Sequence, residues 1–110
     1  MSVFDDFLST VVSGAKGLAQ QTLTDFVTQA QDDTKDFLLQ SRQQLNDWTT
    51  QLAKGQMTKD EFADLALGLK DLAVMAALTE AGIAAARVQR FRDAVIKLVI
   101  DTAFQKFLPV

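Results

Sequence analysis

The chain lacks three side chains on which enzymes often depend for proton transfer, nucleophilic attack and metal binding. Its 110 residues contain no His, no Cys and no Tyr. This composition excludes disulfides, thiolate metal sites, cysteine nucleophiles and histidine acid–base chemistry. We therefore predict no catalytic residue, no metal site and no bound cofactor, and we expect the protein not to be an enzyme.

Three neighbouring carboxylates could in principle hold a divalent cation. Asp32, Asp33 and Asp36 fall on a predicted helix, however, rather than in a loop that could wrap oxygen ligands around calcium. The Glu-x-x-His pattern of di-iron bundles is excluded because the chain has no His. We interpret the three carboxylates as part of a solvated helix face.

Glu80 is an isolated acid in an apolar segment. Its helical neighbours three and four residues away are Ala76, Ala77, Ile83 and Ala84, and none of them can pair with its charge. A buried carboxylate without a partner is costly. Glu80 therefore either lies at an exposed edge or pairs with an Arg of another subunit and fixes the register between helices.

Arg87, Arg90 and Arg92 form a basic cluster, in which Arg87 and Arg90 share a helix face. Arg90 begins a possible ladder of ion pairs that continues through Asp93 and Lys97 to Asp101, each pair contributing a few tenths of a kcal/mol. We interpret this cluster as a solvated structural ladder. A net charge of −3 and a pI near 4.7 argue against nucleic acid as a partner.

Helices must position these residues, because helical periodicity runs through most of the chain. An apolar stripe recurs about every 3.6 residues, the period of a straight α-helix, and predicts a first long helix over 18–54. The stripe consists of Leu23, Val27, Ala30, Thr34, Leu38, Ser41, Leu45, Trp48 and Leu52. Residues 1–17 continue the pattern as an N-terminal helix capped by Ser2, with a kink or break expected at Gly14 and Gly17.

The clearest local signal is a corner at residues 55–58. Gly55 suits the left-handed position after a helix, and Thr58 suits the N-cap of the next helix. Glu61 completes a capping box with Thr58, while Met57 and Phe62 can form a hydrophobic staple. These residues predict an all-α fold in which a long antiparallel helical hairpin turns at 55–58.

The second arm, 59–107, has two possible forms. Its polar stripe keeps helical phase across Gly82, and residues 83–86 contain no side chain that could cap a new helix. We therefore expect one helix about 73 Å long. The alternative is a break at Gly82, after which residues 83–107 fold back as a third helix. In either case the chain, 1–110, is predicted to be a single all-helical domain.

The apolar surplus of the second arm predicts self-association, because one hairpin cannot cover a helix that is apolar nearly all round. The simplest assembly is a dimer that forms a four-helix bundle, whereas a compact monomer would bury the same surface by folding back. The candidate interface comprises Ala73, Ala77, Glu80, Ala81, Ala85, Arg87 and Phe91. Its alanines recur every fourth residue and permit close helix packing, although such alanines also suit an ordinary core.

Aromatic residues occur near both ends of the predicted hairpin. If the two arms pair fully, Phe4 and Phe7 meet Phe104 and Phe107. Otherwise these rings form an exposed patch that could dock a partner.

These features favour a non-enzymatic structural or interaction protein that binds through helix–helix packing. The expected partner is a second copy of the chain, and the alternative is another helical protein. The N-terminus has no secretory signal and no segment is apolar enough to span a membrane, so the expected location is the cytoplasm.

Long helices rich in Gln, Thr and Ala, with stripes of Phe and Leu, also resemble polymer-granule coat proteins such as phasins and exchangeable apolipoprotein-type helices. That resemblance implies an amphipathic coat on a hydrophobic or lipid-like surface. The first arm lacks the basic enrichment typical of binding to an anionic membrane. A helical bundle that holds an apolar ligand is a further alternative.

Overall fold

The computed structural model describes residues 2–108, which form six α-helices and two short 3₁₀ segments and contain no strand. The all-α prediction is therefore confirmed. The α-helices are α1 (Val3–Thr22), α2 (Val27–Gln40), α3 (Arg42–Ala53), α4 (Lys59–Leu67), α5 (Ala76–Glu80) and α6 (Ala85–Phe107). The 3₁₀ segments are Thr24–Phe26, between α1 and α2, and Gly68–Leu72, which follows α4.

Helix α1 begins as predicted and ends later than predicted. The hydroxyl of Ser2 accepts a hydrogen bond from the Asp5 amide at 3.1 Å and caps the helix. The expected kink at Gly14 and Gly17 is wrong, because the helix continues through both glycines. The chain turns instead at Leu23, whose buried side chain holds the turn against the core.

The predicted helix over 18–54 is divided into three pieces, yet its stripe faces the core throughout. Every stripe position is buried or half-buried. Between α2 and α3 the chain bends at Ser41, whose buried hydroxyl donates to the Phe37 carbonyl at 2.8 Å. A hydroxyl that bonds back to a carbonyl one turn earlier competes with the helical hydrogen bond and often bends a helix.

The corner between α3 and α4 has the predicted chemistry. Gly55 takes a φ of +73°, and Thr58 and Glu61 form a reciprocal capping box. Phe62 is fully buried beside this corner, with Met57 packed against the core.

The second arm is not one helix. Residues 59–107 contain α4, a 3₁₀ segment, the five-residue α5 and the long α6. The chain breaks at Gly82, as in the alternative form, and also at residues 73–75, where Met75 takes a left-handed φ of 55°. A continuous helix of about 73 Å could not fit within the longest dimension of the molecule, 42 Å.

Folding back buries the apolar surplus within one chain. Helix α6 packs along α1, and its inward side chains include Val95, Ile96 and Val99. The surplus therefore supplies no argument for a second copy, and self-association remains a prediction that needs other support.

The terminal aromatic residues pack together. Phe7 meets Phe107 edge to face, with 5.6 Å between ring centroids, and also contacts Phe4 at 5.8 Å. Phe104 instead approaches Phe62 of α4 at 5.9 Å. The prediction that the two ends meet is thus confirmed for Phe7 and Phe107.

Candidate helix-binding groove

Helices α1 and α6 run antiparallel in close contact. At one end, Arg87 of α6 donates to the Thr22 carbonyl at the end of α1 at 2.8 Å. Farther along, a methyl group added to Gly14 would lie 2.6 Å from Leu98 Cδ2. The missing side chain at Gly14 therefore permits the close approach of the two helices.

A surface groove follows the line where these helices meet. It consists of two adjoining cavities of about 430 and 400 Å³, both of which are lined by Leu18 and Ala94. The groove spans Arg87 to Asp101 along α6, about 21 Å at the rise of an α-helix. We call this surface the α1–α6 groove, and its lining is Gly14, Gly17, Leu18, Gln21, Thr22, Leu23, Arg87, Arg90, Phe91, Ala94, Lys97, Leu98 and Asp101.

The two walls of the groove differ in bulk and charge. On α1, Gly17 leaves open space, because a methyl group there would meet no atom within 4 Å. On α6, the charged residues Arg87, Arg90, Lys97 and Asp101 share one helix face. The groove therefore combines an apolar floor and a small-residue wall with a rim that is mainly cationic.

The predicted ladder of ion pairs along α6 is wrong. Asp93 pairs with its neighbour Arg92 at 3.1 Å. Among residues 2–108, neither Arg90 nor Lys97 has an acidic group within ion-pair distance. Two exposed cations at the rim of the groove therefore form no ion pair with any residue in 2–108.

The structure brings together two members of the candidate interface. Phe91 lies in the floor of the groove and is almost fully buried. Arg87 lies at its end, where the hydrogen bond to Thr22 holds part of the guanidinium. Glu80 is exposed, as one of its two interpretations required, and its proposed pairing with another subunit remains a prediction.

The alanine row does not lie on one helix, because the chain breaks before α5 and again after it. Ala73 is buried in the loop before α5, and Ala77 lies in its first turn. Ala81 caps the end of α5, and Ala85 begins α6. A single helical seam along these four residues is therefore wrong.

The sequence did not predict that Gly17, Arg90, Ala94 and Lys97 line one surface. Part of the signal was visible, because Arg90, Ala94 and Lys97 follow one another at helical spacing. Gly17, however, predicts a kink or break in the helix when only its neighbours in sequence are considered. The groove exists only after α6 has folded back onto α1.

Asp33 also differs from its prediction, because it is buried rather than solvated. It is 4% exposed, and its two carboxylate oxygens accept from the amides of Ala77 and Leu78 at 2.9 and 2.8 Å. These amides lie in the first turn of α5, where a helix leaves its donors unpaired. Asp33 of α2 thus caps α5 across the core.

Other buried polar side chains also serve the backbone. Thr34, Ser41 and Thr49 each donate to the carbonyl four residues earlier, at 2.7–2.8 Å. Within the described part of the chain, no three His, Cys, Asp or Glu residues cluster as they would around a metal ion.

Comparison with known proteins supplies no relative from which a site could be transferred. No family model, curated protein or solved structure matches the chain. Over residues 2–108, none of the helices combines the length and apolar character needed to cross a membrane.

Proposed function

We propose that this protein is a non-enzymatic, cytoplasmic interaction protein that binds a partner helix in the α1–α6 groove. The observation that carries the proposal is the pair of exposed cations, Arg90 and Lys97, beside an apolar groove that is open at Gly17. Neither cation has an ion-pair partner among residues 2–108, so both are available to an acidic partner.

The shape of the groove favours a helix as the bound element. A shallow channel between two antiparallel helices accepts the apolar stripe of a third helix, and small side chains allow its backbone to approach closely. Gly17 and Ala94 supply this small-residue lining, while Leu18 and Phe91 supply apolar contact. The length of about 21 Å matches three to four helical turns.

The charge of the rim favours an acidic partner. Glutamates that flank the apolar stripe of a bound helix would meet Arg90 and Lys97 across the edge of the groove. Such rim contacts contribute to orientation and association rate more than to affinity, and salt screens them.

Three synthetic peptides test the proposal. Each is an amphipathic helix of about 15 residues, the length that matches the groove, with the same leucine stripe flanked by Glu, Gln or Lys. Fluorescence anisotropy should rank their affinities Glu first, Gln second and Lys last. Raising the salt concentration should reduce the differences in affinity among the three peptides, because salt screens the charges at the rim.

Two substitutions at Gly17 locate the binding surface. Gly17→Leu should fill the groove and lower the affinity for the Glu peptide by about tenfold or more. A tenfold loss corresponds to roughly 1.4 kcal/mol of binding free energy. Gly17→Ala is the matched control, because it makes a similar gain in helix propensity with little added bulk. If none of the peptides binds, or if Gly17→Leu binds as well as Gly17→Ala does, the proposal is wrong.

A further inference from the structure

We propose that the partner helix in the α1–α6 groove is α4 of a second copy of this chain, together with its 3₁₀ extension. These elements would place their outer face in the groove. This inference rests on the proposed function, since it names the occupant of the same groove. The outer face, which we call the acidic face, consists of Asp60, Asp64, Leu67 and Asp71.

The acidic face is an amphipathic surface turned outward. Helix α4 and the 3₁₀ segment bury Phe62, Ala66 and Leu69 against the core. On the outside, Leu67 is 54% exposed and lies among acids that have no ion pair with any residue in 2–108. An exposed leucine among unpaired acids has the chemistry that the basic, apolar groove would accept.

The spacing of the two surfaces agrees when the helices run parallel. Asp64, Leu67 and Asp71 would face Arg90, Ala94 and Lys97 respectively, and Asp60 would face Arg87. From Asp60 to Leu67 and from Arg87 to Ala94 the rise is about 10.5 Å in each case. Leucine would thus meet alanine at the same height. Asp64 would lie about 1.5 Å beyond Arg90, and Asp71 about 3 Å beyond Lys97, since the 3₁₀ segment rises about 2 Å per residue. The long side chains of Arg90 and Lys97 can span these offsets.

The central contact joins a large side chain to a small-residue hole. Leu67 projects from the acidic face, whereas Ala94 and Gly17 lie on the two walls of the groove. Next to Leu67, Gly68 also leaves space, because a methyl group added there would meet no atom within 4 Å. Two helices can therefore approach closely at the middle of the proposed contact.

The contact joins different surfaces of the two copies. The groove lies between α1 and α6, whereas the buried side of α4 reaches α6 elsewhere, through Phe62 and Phe104. Each copy thus keeps one groove and one acidic face available. Head-to-tail contacts of this kind close into a ring, or a two-fold pair if both surfaces meet one partner, and otherwise extend into a filament.

Reciprocal charge reversal tests this assignment. The groove variant carries Arg90→Glu and Lys97→Glu, and the face variant carries Asp64→Lys and Asp71→Lys. Light scattering after size exclusion, over a range of concentrations, should show self-association of the unmodified chain. Each variant alone should associate at least about tenfold more weakly, because like charges then face each other.

An equimolar mixture of the two variants gives the sharper result. Opposite charges face each other again in the mixture, so complexes should form that neither variant forms alone. Asp36→Lys with Asp47→Lys is the control, because it changes the net charge as the face variant does at exposed sites on other helices. That control should associate like the unmodified chain, and circular dichroism verifies that every variant is folded.

Three results would overturn the inference. The first is that the unmodified chain stays monomeric at every concentration. The second is that self-association survives both charge reversals, and the third is that the two variants do not associate when mixed. The peptide assay decides the proposed function separately. Peptide binding that Gly17→Leu abolishes, combined with a monomeric chain, would retain the groove as a binding site and assign it to a different acidic helix.

Discussion

Two corners of the molecule end a helix in the same way and begin the next helix in different ways. After α3, Gly55 and Gln56 donate to the carbonyls of Leu52 and Gln51 at 3.2 and 2.8 Å. After α5, Gly82 and Ile83 donate to the carbonyls of Thr79 and Leu78 at 3.0 and 3.4 Å. Both are Schellman motifs with a glycine at positive φ.

The helix starts differ in where their stabilising groups come from. At the first corner, Thr58 accepts from the Glu61 amide at 3.1 Å, and the Glu61 carboxylate accepts from the Thr58 amide at 3.0 Å. At the second corner, Ala84 offers no capping side chain to α6. Helix α5, which leads into that corner, is capped by Asp33 from α2. The first corner is therefore specified by neighbours in sequence, and the second depends on tertiary contacts.

The largest expected effect in this comparison belongs to Asp33. Asp33→Ala should lower the free energy of unfolding by about 3 kcal/mol, because it leaves two amides of α5 without their charged acceptor in a buried setting. A domain of this size is stable by roughly 5–15 kcal/mol, so the loss is large. Urea unfolding monitored by circular dichroism measures it.

Two companion variants show whether the buried hydrogen bonds carry the effect. Asp33→Asn keeps one acceptor oxygen and should lose less stability than Asp33→Ala. Asp36→Ala removes an exposed carboxylate from the same helix and should change stability by less than about 0.5 kcal/mol. Similar losses for Asp33→Ala and Asp36→Ala would show that the cap across the core contributes little.

Asp33 also illustrates which parts of the fold the sequence could predict. The helical class, the core-facing stripe from Leu23 to Leu52 and the corner at Gly55 and Thr58 depend on residues within a few turns of one another. Helical periodicity and capping rules predict these features directly, because they use only such short-range patterns. The acceptor for the α5 amides lies 44 residues earlier in the chain, beyond the reach of any local pattern.

The candidate site was predictable to an even smaller extent. The sequence predicts Arg87 and Phe91 as interface residues, but as members of an alanine seam that requires a continuous helix. The groove needs α6 to lie against α1, and this packing follows from the breaks around α5. Gly17 shows the difficulty, because a helix interior tolerates a single glycine when tertiary packing supports the helix.

The two corner glycines should respond alike to substitution. Gly55→Ala and Gly82→Ala should each cost about 1–2 kcal/mol, because an L side chain is strained in the left-handed region that both residues occupy. Neither substitution has a steric conflict, since a methyl group at either position would meet no atom within 4 Å. Thermal and urea unfolding of the two variants measure the comparison.

Gly17→Ala is the reference for these two substitutions. It lies within α1, and alanine there should raise stability by about 0.5–1 kcal/mol through helix propensity. If Gly82→Ala were neutral while Gly55→Ala was destabilising, the Schellman motif would matter only at the corner that is specified locally.

Removing the N-cap at the first corner and adding one at the second should change the free energy of unfolding by smaller amounts of opposite sign. Thr58→Ala should cost about 1 kcal/mol, because it removes an N-cap hydrogen bond. Ala84→Asp should add about 0.5–1 kcal/mol, because its extended backbone, with ψ of 139°, suits an N-cap that α6 lacks. Ala86→Asp, an exposed position within the first turn of α6, controls for the added charge, and an equal gain there would contradict a specific cap.

The smallest expected effect is the pH dependence of the first corner. The hydrogen bond from the Thr58 amide, with a further contribution from its side chain, lowers the pKa of Glu61 below its ordinary value of 4.5. A carboxyl group whose pKa is lower in the folded state contributes stability that is full above the unfolded pKa and is lost as pH falls through the folded pKa.

Glu61→Gln keeps a side-chain acceptor but cannot titrate, so its urea midpoint should fall less than that of the unmodified chain as the solution is acidified below about pH 4.5. Gln89→Glu, which adds an exposed carboxyl to α6, should leave this acid dependence unchanged. Identical acid profiles for Glu61→Gln and the unmodified chain would mean that the capping box contributes through Thr58 alone.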